Sequence, residues 1–469
     1  MESMAPRLAR HVKALTYETL PAQVVEIAKR CVLDYLGVML RGSTLPQVQA
    51  PYALVRDMAA RPESTIGGYG VKTTAAYAAY VNGTFGHSCE FDDGHALGGH
   101  PGVVVIPTVL ALAEAGQRSG KETINAIVAG YETMVLSLAC IHTASLHLGW
   151  HAMKIQGVFG AAGATAKLLD LEEGEIVNAF GIAGSEVSGV MEYDQSGGEV
   201  KRLHAGSTAR LGMQSAQLAH HGLTGPSTIC EGKRGIWRMY SDKFDADPES
   251  FWTGQFYILD TIVKMSPAVG TVHGAIDAAH EIRRRHGVKA EDIAKIDAYV
   301  SALTMDHGAS IVRPHDCIGA QFSLAFSLGL SFVKGANLLT DYLEPSNWSD
   351  PAIMAIAEKV TPIERPTAPG ASVLGALVKV TLKDGQVLEF DQPLPRGHPK
   401  NPPSMADVEA KFRGLVGGLL PDAQADAIVA AVAKLEAMDD VSELMKLLVL
   451  PQGLTDPKSR DHPPKIPAI

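Results

Sequence analysis

Thirteen residues, EFDDGHALGGHPG at positions 90–102, hold three carboxylates, two histidines and four glycines. Acids and imidazoles packed this closely suit a metal site or an acid/base site, because a carboxylate can ligate a cation or orient a histidine that titrates near neutral pH. Asp92 and Asp93 are candidates to touch substrate or to fix the tautomer of a histidine, and His95 is a further candidate for substrate binding. His100 stands just before Pro101, at an expected helix N-terminus, where the dipole favours a neutral imidazole or a bound anion. The same aspartates could do no more than cap a helix and tie down their loop.

Three other places could face this loop. In HLGWHAMKIQGVFGAAG, His147 and His151 are four apart, the spacing of one helix face. No third ligand and no H-E-x-x-H pattern accompanies them, so no metal is expected. The glycines of GVFGAAG follow no strand, which points to close helix packing rather than a dinucleotide loop. In GGEVKRLHAG, Lys201, Arg202 and His204 stand together after a Gly-Gly break, as a cationic clamp for a carboxylate or phosphate would; a solvated basic turn would look the same. Lys264 lies in the apolar stretch TIVKMSP, where an ammonium is costly unless it meets an anionic partner or a ligand.

These groups need elements to position them. From the start to about residue 260, apolar and small residues recur at three-and-four spacing, as in LPAQVVEIAKRCVLDYLGVML and KETINAIVAGYETMVLSLACI, which predicts tightly packed helices. Beyond that the pattern changes. A helix GAIDAAHEIRRRHG is followed by alternation from Ile293 to Val300, read as a strand, and by a β-hairpin in SVLGALVKVTLKDGQVLEFDQPLP with its turn at Asp384 and Gly385. The expected class is mainly α: a helical domain over 1–261, a smaller α+β domain over 262–396, and C-terminal helices over 397–469 that return to the helical domain. The last stretch, PQGLTDPKSRDHPPKIPAI, reads as a disordered or surface-wrapped tail.

Composition narrows the function classes. A chain of 469 residues, 46% hydrophobic and 20% charged, can bury a large core in more than one domain. Its formal net charge of −10 argues against a nucleic-acid partner. Five scattered cysteines without a C-x-x-C pair fit a reduced cytosol. The N-terminus has no apolar signal core, and the run GVVVIPTVLALAEAG is too short to span a bilayer and contains Pro107, so a cytoplasmic protein without a membrane partner is expected.

In order along the chain, ARHVKALTYETLPAQVVEIAKRCVLDYLGVMLRGS, AAYAAYVNGTFGHSCEFDDGH, HPGVVVIPTVLALAEA, KRLHAGSTARLGMQSAQLAHHGLTGPSTICEGKRGIW and AQFSLAFSLGLSF resemble the MmgE/PrpD family. The likeness covers essentially the whole chain to about residue 450. It implies a large helical domain, a smaller α+β lid domain, a homodimer, and a site between the domains that needs neither metal nor cofactor and takes a small di- or tricarboxylate. His100, His151, Lys201 and Lys264 match the family's active-site positions by type. Relative to the family's decarboxylase pattern, Glu90 replaces Asp, Gly94 replaces Thr, Val269 replaces His and Phe326 replaces Tyr, so Phe326 is expected to form an apolar pocket wall.

The function so implied is a cofactor-independent lyase, a dehydratase or decarboxylase that removes a proton next to a carboxylate. One of His100 and His151 would be base and the other acid, with Lys201 and Lys264 neutralising the ene-diolate. Two alternatives stay open: an epimerase or isomerase that returns the proton to the opposite face, and a non-catalytic carboxylate-binding protein.

Overall fold

The computed structural model describes residues 2–193 and 198–451; the proline-rich tail and the centre of the glycine-rich break at 194–200 lie outside the described residues. The chain forms two compact units. Of the described residues, the larger comprises 2–88, 92–193, 198–261 and 408–451, and the smaller comprises Cys89–Phe91 and Ile262–Asp407.

The larger unit is helical. In chain order it contains α1 (Met4–Ala14), α2 (Ala22–Gly42), α3 (Gln49–Asp57), α4 (Ala75–Gly86), α5 (Gly102–Ala115), α6 (Gly120–Leu138), α7 (His142–His147), α8 (Ala152–Leu168), α9 (Glu173–Ala183) and α10 (Val200–His220). α5 is buried from Gly102 to Glu114, on every face, as expected of a helix that is apolar all round. α6 begins at a capping box in which Ser119 Oγ accepts from the Glu122 amide at 3.3 Å and the Glu122 carboxylate accepts from the Ser119 amide at 2.9 Å. The helical stretch Gly120–His147 is long and apolar enough to cross a membrane, with a mean hydropathy of 1.6, and surpasses the 102–116 run in that respect. Its whole apolar window is buried inside the unit, the position of a core helix.

The GVFGAAG glycines do pack helices together. A Cβ at Gly157 would come within 2.7 Å of Thr208 Cγ2 on α10, and one at Gly160 within 2.8 Å of Met134 Cβ on α6. Gly157 meets Thr208, and Gly212 meets Ala162, so α8 and α10 run parallel. Gly99 abuts Met153 and Gly157 abuts Val104, which sets α5 parallel to α8 as well. The N-termini of the three helices consequently share one end of the unit.

The smaller unit holds α11 (His273–His286), α12 (Leu324–Val333) and a four-stranded sheet of β1 (Ile293–Val300), β2 (Val360–Glu364), β3 (Ala376–Leu382) and β4 (Val387–Gln392). The strand order is β2-β1-β3-β4, with β2 parallel to β1 and the other pairs antiparallel. β1 spans the residues whose alternation predicts it. At the β3–β4 turn Gly385 adopts φ +90°, a left-handed conformation that suits glycine. Ile276 and Ile282 of α11, Phe326 of α12, and Ile296 and Val378 of the sheet belong to one core.

C-terminal α13 (Met405–Val416) and α14 (Asp422–Ala433) follow. Phe412 and Leu415 press on Gly37 of α2, and Lys411 Nζ pairs with the buried Asp34 Oδ1 at 2.6 Å, so these helices do join the helical unit. Residues 397–407, expected with them, lie instead with the smaller unit. The Gly397 carbonyl accepts from the Val263 amide at 3.1 Å, and Arg396 pairs with Asp407 at 3.3 Å.

Candidate active site

The chain leaves α4 at His87, loops back, and enters α5 through His100 and Pro101. His151 is the N-cap residue of α8, and Lys201, Arg202 and His204 lie in the opening turns of α10. Parallel packing thus delivers the imidazoles to the end where three sets of unpaired backbone N–H groups concentrate positive potential.

Asp92 sits between two of the rings. Its Oδ2 is 3.0 Å from Nδ1 of His87 and 3.0 Å from Nδ1 of His100. His100 Nδ1 also lies 2.8 Å from the Asp93 carbonyl oxygen. A carbonyl can only accept, so His100 Nδ1 carries the proton and Nε2 is left to act on a ligand. The His100 side chain is 19% exposed, whereas that of His87 is fully buried and its Nε2 has no hydrogen-bond partner among the described residues. Burial pushes the Asp92 carboxyl up, but the His87 and His100 imidazoles outweigh it and hold Asp92 well below the usual carboxylate range. Burial lowers His87 in spite of Asp92.

The second pair is His151 and His204, whose Nδ1 atoms are 2.8 Å apart. Two ring nitrogens at that distance share one proton, one donating and the other accepting. Burial pushes His151 well below its ordinary value, with His204, His87 and Lys201 adding to the effect. Burial, Lys154, His87 and Lys201 bring His204 down to about 4. The pairs are joined through His87, whose ring centroid is 4.9 Å from that of His100 and 6.3 Å from that of His151. Burial keeps His87, His151 and His204 uncharged at neutral pH beside a buried lysine, Lys201, an arrangement able to take a proton while a neighbouring cation stabilises the negative charge left behind.

His87, Asp92 and His100 offer ligand atoms within 4.8 Å of one another, a donor set that a transition metal accepts. The proton on His100 Nδ1 removes that atom as a ligand and leaves Nε2, while the same contacts also make Asp92 a carboxylate orienting two imidazoles.

The remaining expected residues have other surroundings. Asp93 caps α5, its Oδ1 accepting from the Gly102 amide at 2.9 Å and its Oδ2 from the Tyr131 hydroxyl at 2.6 Å, and burial raises it to about 7. His95 spends both ring nitrogens on backbone, Nε2 on the Tyr257 carbonyl at 3.1 Å and Nδ1 on the Leu97 amide at 3.1 Å; this ties down the loop and leaves no ring nitrogen for substrate. Burial lowers His95 to about 4. Arg202 is buried and ion-paired with Glu199.

In the smaller unit, Lys264 Nζ pairs with Glu90 Oε1 at 2.8 Å, which is the anionic partner its apolar setting demands. Phe326, expected as a pocket wall, is a core residue instead: it is fully buried, with its ring 5.9 Å from that of Tyr342, because its helix is buried on every side. His147 and His151 do not share a helix face, since α7 ends at His147 and Gly149, with φ +84°, turns the chain before α8. Sequence reasoning missed His87 and Tyr193, the latter edge-on to both His151 and His204. His87 follows the apolar end of α4 and looks like any core histidine until Asp92 is seen against it.

The family model of the MmgE/PrpD N-terminal domain matches residues 6–249, and that of the MmgE/PrpD C-terminal domain matches residues 266–437. The chain belongs to the MmgE/PrpD family. Among curated members of the MmgE/PrpD family, cis-aconitate decarboxylase of Aspergillus terreus is 28% identical over 466 residues, covering 93% of this chain and 94% of its own. Cis-aconitate decarboxylase of Homo sapiens is 26% identical over 477 residues, covering 99% of this chain and 98% of its own. The mitochondrial 2-methylcitrate dehydratase of Yarrowia lipolytica is 24% identical over 459 residues, covering 91% and 86%. These MmgE/PrpD relatives are decarboxylases and a dehydratase by name, all lyases.

Proposed function

We propose that this MmgE/PrpD-type lyase acts on a small di- or tricarboxylate without metal or organic cofactor, by proton transfer at a carbon next to a carboxylate. The observation that carries the reading is the Asp92 fork, which leaves His100 protonated on Nδ1 and directs its Nε2 to a ligand. His151, kept neutral by burial, supplies the complementary group.

In a dehydration, one imidazole takes the carbon-bound proton, the electron pair forms the alkene, and the carbon–oxygen bond breaks as the other imidazole protonates the departing hydroxyl to water. In a decarboxylation, the carbon–carbon bond to one carboxylate breaks, carbon dioxide leaves, and an imidazole that has first taken a proton from water gives it to the carbon that receives the electron pair. In both, charge accumulates on a carboxylate, and Lys201 with the converging helix N-termini stabilises it.

Positioned acid/base groups contribute about 10²- to 10⁴-fold in rate. His100→Asn and His151→Asn should each lose on the order of that factor on whichever of cis-aconitate or 2-methylcitrate the wild type turns over. Wild-type-like turnover in the double variant would overturn the assignment. Running the reaction in heavy water separates the neighbouring possibility: deuterium in recovered substrate, with no alkene absorbance change and no carbon dioxide, would make the protein an epimerase.

A further inference from the structure

Lys154 stands in the first turn of α8, three residues after His151, and is 5% exposed. Three other buried lysines face carboxylates: Lys29 faces Glu436, Lys411 faces Asp34 and Lys264 faces Glu90. Lys154 differs. Its Nζ donates to Ser207 Oγ at 2.9 Å, Ser207 Oγ in turn donates to the His204 carbonyl at 3.1 Å, and no carboxylate lies within ion-pair distance of that Nζ among the described residues. An ammonium brings three donors and loses its hydration on burial, and one neutral hydroxyl answers only one of them.

The side chain also has a definite place. A Cβ at Gly189 would meet Lys154 Cγ and, at 3.4 Å, His204 Cε1, so the lysine stem runs beside the His204 ring. Burial, with Arg210 adding and Glu186 opposing, lowers the ammonium to about 8, a cost that a bound anion would relieve.

We propose that Lys154 and Ser207 form a binding point for an additional carboxylate of the substrate, beside the His151–His204 pair, so that the protein favours tricarboxylates over dicarboxylates. The inference rests on the carboxylate-lyase reading and names its substrate class.

Two probes that differ only in a central carboxylate test it: tricarballylate and glutarate, titrated calorimetrically near pH 7. Wild type should bind tricarballylate at least about 10-fold tighter, the worth of one charge-assisted contact. Lys154→Met should abolish that preference while holding glutarate to within about 2-fold. In wild type the preference should shrink as pH rises above about 8, where Lys154 loses its charge, and in Lys154→Met it should not follow pH.

Equal loss of both probes in Lys154→Met, or an unchanged preference, would overturn the inference. Should that variant fail to fold, Ser207→Ala takes its place: a reduced preference supports the proposal and an unchanged one overturns it. A wild type that binds both probes equally removes this inference alone. A wild type that binds neither removes the lyase reading with it.

Discussion

At the scale of single residues, the site depends on who holds which proton. Asp92→Asn replaces the charged oxygen that serves both imidazoles with a neutral amide oxygen, so both contacts weaken and the rings are held less firmly. Turnover should fall about 10- to 100-fold, the usual effect of losing a partner that orients a reacting group, with little change in KM; an unaltered kcat would show that Asp92 only packs. His204→Phe removes the neighbour that helps hold His151 uncharged, so the His151 value should rise and the acid limb of kcat/KM should move to higher pH. A fixed limb would assign that limb to another group. Lys264→Met takes the ammonium from the buried Glu90 carboxylate and should cost about 3 to 5 kcal/mol in unfolding free energy, most of it recovered when Glu90→Gln is added. That His100, His151 and Lys201 stand near one another, each at or close to a helix N-terminus, was legible at this scale through motif order. His87 was not, because the contact that defines it depends on a loop geometry that no spacing encodes.

At the scale of elements, α8 does two jobs, packing through glycines and carrying His151 at its tip. Gly157→Ala would drive a methyl to 2.7 Å from Thr208 Cγ2 and push α8 off α10. Overpacking of this kind costs about 1 to 3 kcal/mol. It should also lower activity beyond the stability loss, because the His151–His204 contact bridges the same two helices; a destabilised variant with normal kinetics would separate packing from chemistry. Phe326→Ala is the contrasting case. Emptying a core position of the smaller unit should cost about 3 to 5 kcal/mol, and Phe326→Tyr should bring no gain of decarboxylase activity, since the ring faces core residues. Periodicity made these helices and strand β1 readable in advance. The placement of residues 397–407 was not readable, since a proline-rich run reports where helices stop and says nothing of which surface accepts its hydrogen bonds.

At the scale of the whole molecule, burial sets up opposing titrations. His87, His95, His142, His151 and His204 are all lowered by burial, so the folded chain keeps them neutral while the unfolded chain protonates them near 6.5. The stability they contribute is complete above that value and is lost as pH falls toward the folded values, about 4 for His95 and His204. Asp277, Asp93 and Glu132 are raised by burial to about 6, 7 and 8, so their contribution runs the other way and fades as pH climbs through those values. The histidines prevail below about 6.5, and from there to about 8 the raised carboxyls prevail, which puts the highest melting temperature near pH 6.5. A melting temperature that climbs steadily on acidification would contradict this balance. The parallel setting of α5, α8 and α10 carries a consequence of another kind. On the proposed reading, part of the pull on an anionic substrate comes from peptide dipoles, which the genetic code cannot delete one at a time. Lineages that keep these helices can therefore exchange the side chains around the ligand, and with them the preferred acid, and still inherit a cradle for negative charge.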